Sequence, residues 1–243
     1  MEFTPYPEFK RRFNILWKQG EHIVVVGPTG VGKSTLIADL LPRRAANLFF
    51  GTKIKDPLYD TLMKRGYHRV DSLKEVRPWY KNAKGELKIL LWPHKGKDIS
   101  DTMRIQRETF AEAMNDIATH ERPWTMTLDE AKYMAEQLRL SKEISYCVEQ
   151  FRTIKGTIIS GAQRPAWIPP SVMANASHAF LYKSTNRDDA LKLADMGGID
   201  AKAIRGELLK LGPFEWLYVH TRGTETEVMR SQVEVRKSNA PSH

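Results

Sequence analysis

The sequence predicts an α/β domain, a three-layer sandwich around a mainly parallel sheet. Three observations lead there. Apolar, β-branched runs alternate with segments of helical spacing through most of the 243 residues. One of these runs, His22-Ile23-Val24-Val25-Val26, opens directly into a glycine-rich turn and a helix. Another, Trp124-Thr125-Met126-Thr127-Leu128, ends on the adjacent acids Asp129 and Glu130.

In chain order, residues 1–21 read as a lead-in, 22–236 as the main domain and 237–243 as a frayed tail. Glu8 to Lys18 carries Phe9, Phe13, Leu16 and Trp17 at helical spacing, to pack beside the first strand or to meet another subunit. The helix after the glycine turn runs from Ser34 to Leu41 and stops near Pro42. Asn47 to Phe50 reads as a second strand, Leu58 to Lys64 as a helix and Tyr67 to Val70 as a short strand. Leu87 to Trp92 is a further strand. Asp101 to Thr119 is a helix, with Ser100 as its N-cap and Met103, Ile105, Phe110, Met114 and Ile117 for its buried face. Thr157 to Gly161 is a strand whose end carries Gln163, Arg164 and Pro165.

Composition narrows the class. Hydrophobic residues make up 41% of the chain, enough for a folded core. No apolar run approaches the roughly 18 residues of a membrane span, and Met1 to Arg12 has no apolar signal core. The single cysteine, Cys147, allows no internal disulfide and reads as a small, semi-buried apolar group that suits a reducing compartment. His94 reads as a loop histidine without metal-ligand spacing around it. The net charge of +9 suits a polyanionic partner. Lys74, Arg77, Lys81, Lys84, Lys88, Lys95 and Lys97, with Trp79, Tyr80 and Trp92 among them, read either as a solvated basic face over core aromatics or as a track for a phosphate backbone.

The glycine turn is Gly27-Pro28-Thr29-Gly30-Val31-Gly32-Lys33-Ser34, adjoined by Thr35. It fits G-x-x-x-x-G-K-[ST] at every required position, between a strand and a helix. Glycines leave room for phosphate oxygens against bare backbone, and the helix start adds partial positive charge. Lys33 is expected to reach the β- and γ-phosphates of ATP, and Ser34 to hold Mg²⁺. At the end of the Trp124–Leu128 strand, Asp129 is expected to complete the Mg²⁺ shell through water, with Glu130 polarising the attacking water. Gln163 ends a strand at the edge where open α/β sheets bind ligands, and is expected to sense the γ-phosphate.

Together these segments resemble the FtsK/HerA superfamily of DNA-pumping P-loop ATPases, in its compact viral packaging branch. The likeness is densest in "FRTIKGTIISGAQRPAWIPPSVMANASHAFLYKSTNRDDALKLADMGG", which starts at Phe151, and in "GELLKLGPFEWLYV", similar to that family's terminal hairpin. "TKIKDPLYDTL" is a weaker likeness, and roughly two-thirds of the chain is covered. The resemblance implies a RecA-like core of the ASCE type with a C-terminal β-hairpin. It implies Glu130 as catalytic base, with Lys33 and Gln163 on the phosphates. Arg152, eleven positions before Gln163, would act on a neighbouring subunit's nucleotide, with Arg187 and Arg164 as further candidates. It also implies a ring of six, acting on double-stranded DNA without regard to sequence. The expected location is the host cytoplasm or the virion, with a capsid vertex or membrane protein as docking partner. The guide barrel, winged helix and membrane segments of larger members do not fit in this chain. Two other classes stay open: a motor for conjugation or single-stranded DNA, and a non-motor P-loop switch or kinase.

Overall fold

A computed structural model describes residues 2–76, 85–119, 122–189, 191–192, 200–222 and 226–233. The Lys237–His243 tail, Met196-Gly197-Gly198, and Arg77, Trp79, Tyr80, Lys81 and Lys84 of the basic run lie outside them.

Among the described residues the order is α1 (Tyr6–Leu16), β1 (His22–Val26), α2 (Lys33–Leu40), β2 (Ala46–Phe50), α3 (Pro57–Lys64), β3 (His68–Val70), β4 (Leu87–Leu91) and α4 (Ile99–Ala118). Then come β5 (Thr125–Leu128), α5 (Ser141–Ile154), β6 (Thr157–Ala162), α6 (Pro170–Asn175), β7 (Ala176–Tyr182), α7 (Ala201–Lys210), β8 (Glu215–His220) and β9 (Glu227–Gln232). The strands form one sheet in the order β3-β4-β2-β5-β6-β1-β7-β8-β9. All pairs from β3 to β7 are parallel, and β8 and β9 pair antiparallel at one edge.

The central strands β1, β2, β5, β6 and β7 are buried along their whole length because both sheet faces are covered there, whereas the edge strands β3 and β9 carry exposed polar residues. Val24 and Val26 of β1 face one core with Leu48, Met126, Phe110 and Met114. Ile23 and Val25 face the other, with Leu36, Ile37 and the aromatic face of α1. Phe9 and Phe13 of α1 pack on Phe180, Trp216 and Tyr218, with the Phe9 and Trp216 rings 4.5 Å apart. The lead-in helix is therefore part of the second core, over β7 and β8. Cys147 is fully buried, deeper than the sequence predicts.

Two element ends differ from expectation. The fourth helix is capped by Asp98, whose carboxylate accepts from the Asp101 N–H at 2.8 Å. Ser100 lies inside the first turn, because the acidic cap two residues upstream satisfies the free N–H groups and favours the dipole. The terminal hairpin is present, but β8 and β9 form it. Within "GELLKLGPFEWLYV", Gly206 to Lys210 is helical, since Ile204 and Leu208 bury one face of α7 four residues apart.

Candidate functional site

The parallel strands all end on one edge, and the phosphate loop leaves β1 there. Gly30 and Gly32 hold φ of 84° and 96°, in the left-handed region that a Cβ disfavours. Gly27 is needed for a different reason: a Cβ there would lie 2.5 Å from Cβ of Tyr182. Gly32 caps α2 without a side chain, so the N–H groups of the helix start are left for an anion. The Lys33 ammonium folds back to donate to the Pro28 carbonyl at 2.7 Å. Burial lowers its pKa, against the opposing pull of Asp129 and Glu130.

β6 lies between β1 and β5, so the acids at the end of β5 stand one strand away from the loop. The Ser34 hydroxyl is 3.4 Å from Oδ2 of Asp129. Asp129 is 7% exposed, and burial raises its pKa. Glu130 opens further into the cleft, its side chain 35% exposed. Gly161 of β6 passes close by; a Cβ there would come within 2.8 Å of the Asp129 carbonyl oxygen. Gln163 follows β6 and is exposed on the same cleft. The cleft has a volume of about 880 Å³ and runs from Glu130 past Thr29–Thr35 to Tyr182, Phe214 and Val233.

Lys53 escaped the sequence reading. Its ammonium is 2.8 Å from Asp56, 3.1 Å from Glu130 and 3.8 Å from Asp129. Burial alone would lower its pKa, but Asp56, Asp129 and Glu130 outweigh that and raise it. The Trp92 indole N–H donates to the Lys53 carbonyl at 2.9 Å, and the Arg69 guanidinium lies 4.6 Å over the Trp92 ring. That aromatic of the basic run therefore packs around Lys53. Lys74 and Lys88 of the same run pair with Glu112 and Glu86. Lys53 had one available signal: it sits just past β2, at the edge where ligands bind.

The three arginines differ. Arg152 is exposed in the last turn of α5, just before β6 begins, so it lies at the sheet edge opposite the phosphate loop. Its charge is felt instead by His22 at the start of β1, which burial, together with Arg222 and Arg152, pushes down to about 4. Arg164 is tied to Asp189 at 3.1 Å within its own chain. Arg187 is exposed beyond the end of β7, on the cleft edge.

An oxygen-only pair, the Ser34 hydroxyl and the buried Asp129 carboxylate, has the donor chemistry that Mg²⁺ takes.

No protein-family model and no curated protein sequence matches the chain. Solved structures do. B204, the DNA-packaging ATPase of Sulfolobus turreted icosahedral virus, aligns with a TM-score of 0.62 at 14% identity, over 89% of this chain and 100% of that one. The genome-packaging NTPase B204 of Sulfolobus turreted icosahedral virus 2, in complex with AMPPCP, aligns at 0.60 and 13%, over 89% and 100%. VirB4 of Thermoanaerobacter pseudethanolicus aligns at 0.63 and 12%, over 89% and 90%. The chain thus has the fold of FtsK/HerA-type P-loop ATPases, at low sequence identity.

Proposed function

We propose that this protein is an ATP-hydrolysing double-stranded DNA translocase, of the kind that packages a genome. The observation that carries the hydrolytic half is the meeting of Ser34, Lys33, Asp129 and Glu130 in one cleft, with Ser34 and Asp129 3.4 Å apart. DNA as the track is supported by the fold likeness to packaging ATPases and by the net charge of +9.

In this reading the loop N–H groups and Lys33 hold the β- and γ-phosphates. Ser34, and Asp129 through water, would hold Mg²⁺, which would neutralise charge on the phosphate oxygens. The Glu130 carboxylate accepts a hydrogen bond from the attacking water and aligns it with the γ-phosphorus. Gln163 donates from the same edge toward the γ-phosphate. Lys53 offsets part of the burial cost of the Asp129 charge and orients Glu130 by direct contact. Arg152, at the sheet edge opposite its own cleft, serves a neighbour's nucleotide in a closed ring of six subunits.

The test is displacement of a third strand from triplex DNA. The expected result is ATP-dependent displacement from duplex tracks that is absent with Glu130→Gln. ATP turnover with no displacement would refute translocation on duplex DNA. The second reading is a motor for conjugation or single-stranded DNA, for which only single-stranded tracks would stimulate turnover.

A further inference from the structure

The cleft continues past the phosphate loop on the side away from the acids. Across β1 from Asp129 lie the end of β7 at Tyr182, the turn before β8 at Phe214, and the end of β9 at Gln232, with Val233 beyond. A triphosphate on the loop with its γ end at Glu130 therefore points its α end, and whatever that carries, toward Phe214.

Phe214 is unusual in two respects. The residue is 51% exposed, although it stands at the mouth of a cleft lined by Val31 and Val233. Its backbone φ is 62°, a left-handed conformation costly for a bulky side chain and held only where its surroundings fix it. The turn is braced to keep it so. The Gly212 N–H donates to the Glu215 carboxylate at 2.6 Å, and Arg230 grips the same carboxylate at 2.6 Å. The foot of the ring rests on the loop itself: Cδ1 is 3.6 Å from where a Gly32 Cβ would stand, and the Tyr182 hydroxyl is 3.7 Å from that point.

We infer that Phe214 is the stacking platform for the nucleobase, with Val233 and the Gln232 amide beside it. This rests on the nucleotide reading of the cleft. A ring face accepts any base, and an amide offers both donor and acceptor, so the site takes adenine and guanine nucleotides alike.

The test separates base from phosphate. Binding of ADP, GDP and inorganic pyrophosphate is measured by calorimetry with Mg²⁺ for wild type, Phe214→Ala and Phe214→Trp. Stacking of one base is worth about 5- to 150-fold in affinity by alanine substitution. Phe214→Ala is expected to weaken ADP and GDP by that factor, leave pyrophosphate unchanged, and be rescued by Phe214→Trp. Diphosphate affinities within twofold of wild type in Phe214→Ala would overturn the inference. So would a loss of pyrophosphate binding equal to that of ADP, because Phe214 would then be shaping the loop. Wild type that binds neither pyrophosphate nor ADP would refute the nucleotide reading itself.

Discussion

Substituting Gly161 by alanine probes the spacing between the glutamine-bearing strand and the metal-side carboxylate. The new Cβ would meet the Asp129 carbonyl oxygen at 2.8 Å, Oδ1 at 3.2 Å and Cα at 3.3 Å. The nearest of these is backbone and cannot swing aside. Ordinary contact begins near 3.4 Å, so the end of β5 must retreat by roughly 0.6 Å (3.4 − 2.8). Overpacking of this kind costs about 1–3 kcal/mol. The retreat also carries Asp129 away from Ser34, already 3.4 Å distant. A misplacement of about 1 Å in a reacting constellation can cost about 10²-fold, so a fall of roughly tenfold or more in kcat is expected. Urea unfolding and steady-state phosphate release measure the two effects. Gly206→Ala is the control: nothing lies within 4 Å of its Cβ, and it sits inside α7. There alanine should stabilise by about 0.5–1 kcal/mol and leave turnover alone. Gly161→Ala with wild-type stability and wild-type kcat would refute the reasoning.

Three further outcomes follow from the geometry. Lys53→Met removes the cation nearest Asp129 and Glu130, so protonation of Asp129 becomes easier and the acidic limb of the kcat–pH profile should move upward; an unmoved limb would mean Lys53 is only structural. His22 is buried with a pKa near 4 against 6.5 when free, so the unfolded chain takes up its proton first as pH falls. Stability should therefore drop from about pH 6.5 toward 4, by about 2 kcal/mol between pH 7 and 5, and His22→Asn, which keeps an acceptor for the Ile158 N–H, should remove that drop in urea titrations. Arg152→Ala should lower kcat by about 10³-fold or more, and mixing it with equally inactive Glu130→Gln should restore turnover, because one variant supplies the arginine and the other the base; no restoration would count against action in trans.

What the sequence made legible follows from how local each feature is. The phosphate loop is contiguous, and its glycines answer to backbone geometry at single positions, so the motif alone locates the loop between β1 and α2. Asp129 and Glu130 were legible because an apolar strand ends on them, and Gln163 for the same reason on β6. Lys53 was not. Its environment depends on β2 lying beside β5, a neighbour relation set by sheet order and not by proximity in the chain. Phe214 was hidden likewise: it sits in a turn between α7 and β8, and its relation to the loop exists only because β8 folds back antiparallel on β7. The cap of α4 was misread because Asp98 and Ser100 are both good caps, and only the hydrogen bond to the Asp101 N–H decides between them. The arm before Gly212 read as a strand by likeness, whereas burial of Ile204 and Leu208 makes it helical.

The most direct test is ATP hydrolysis with no DNA, with single strands and with duplex, for wild type and Glu130→Gln. The expected result is slow turnover alone, strong stimulation by duplex that weakens as salt rises, and none of it in the Glu130→Gln variant. Turnover indifferent to both nucleic acids, or undiminished in Glu130→Gln, would contradict it.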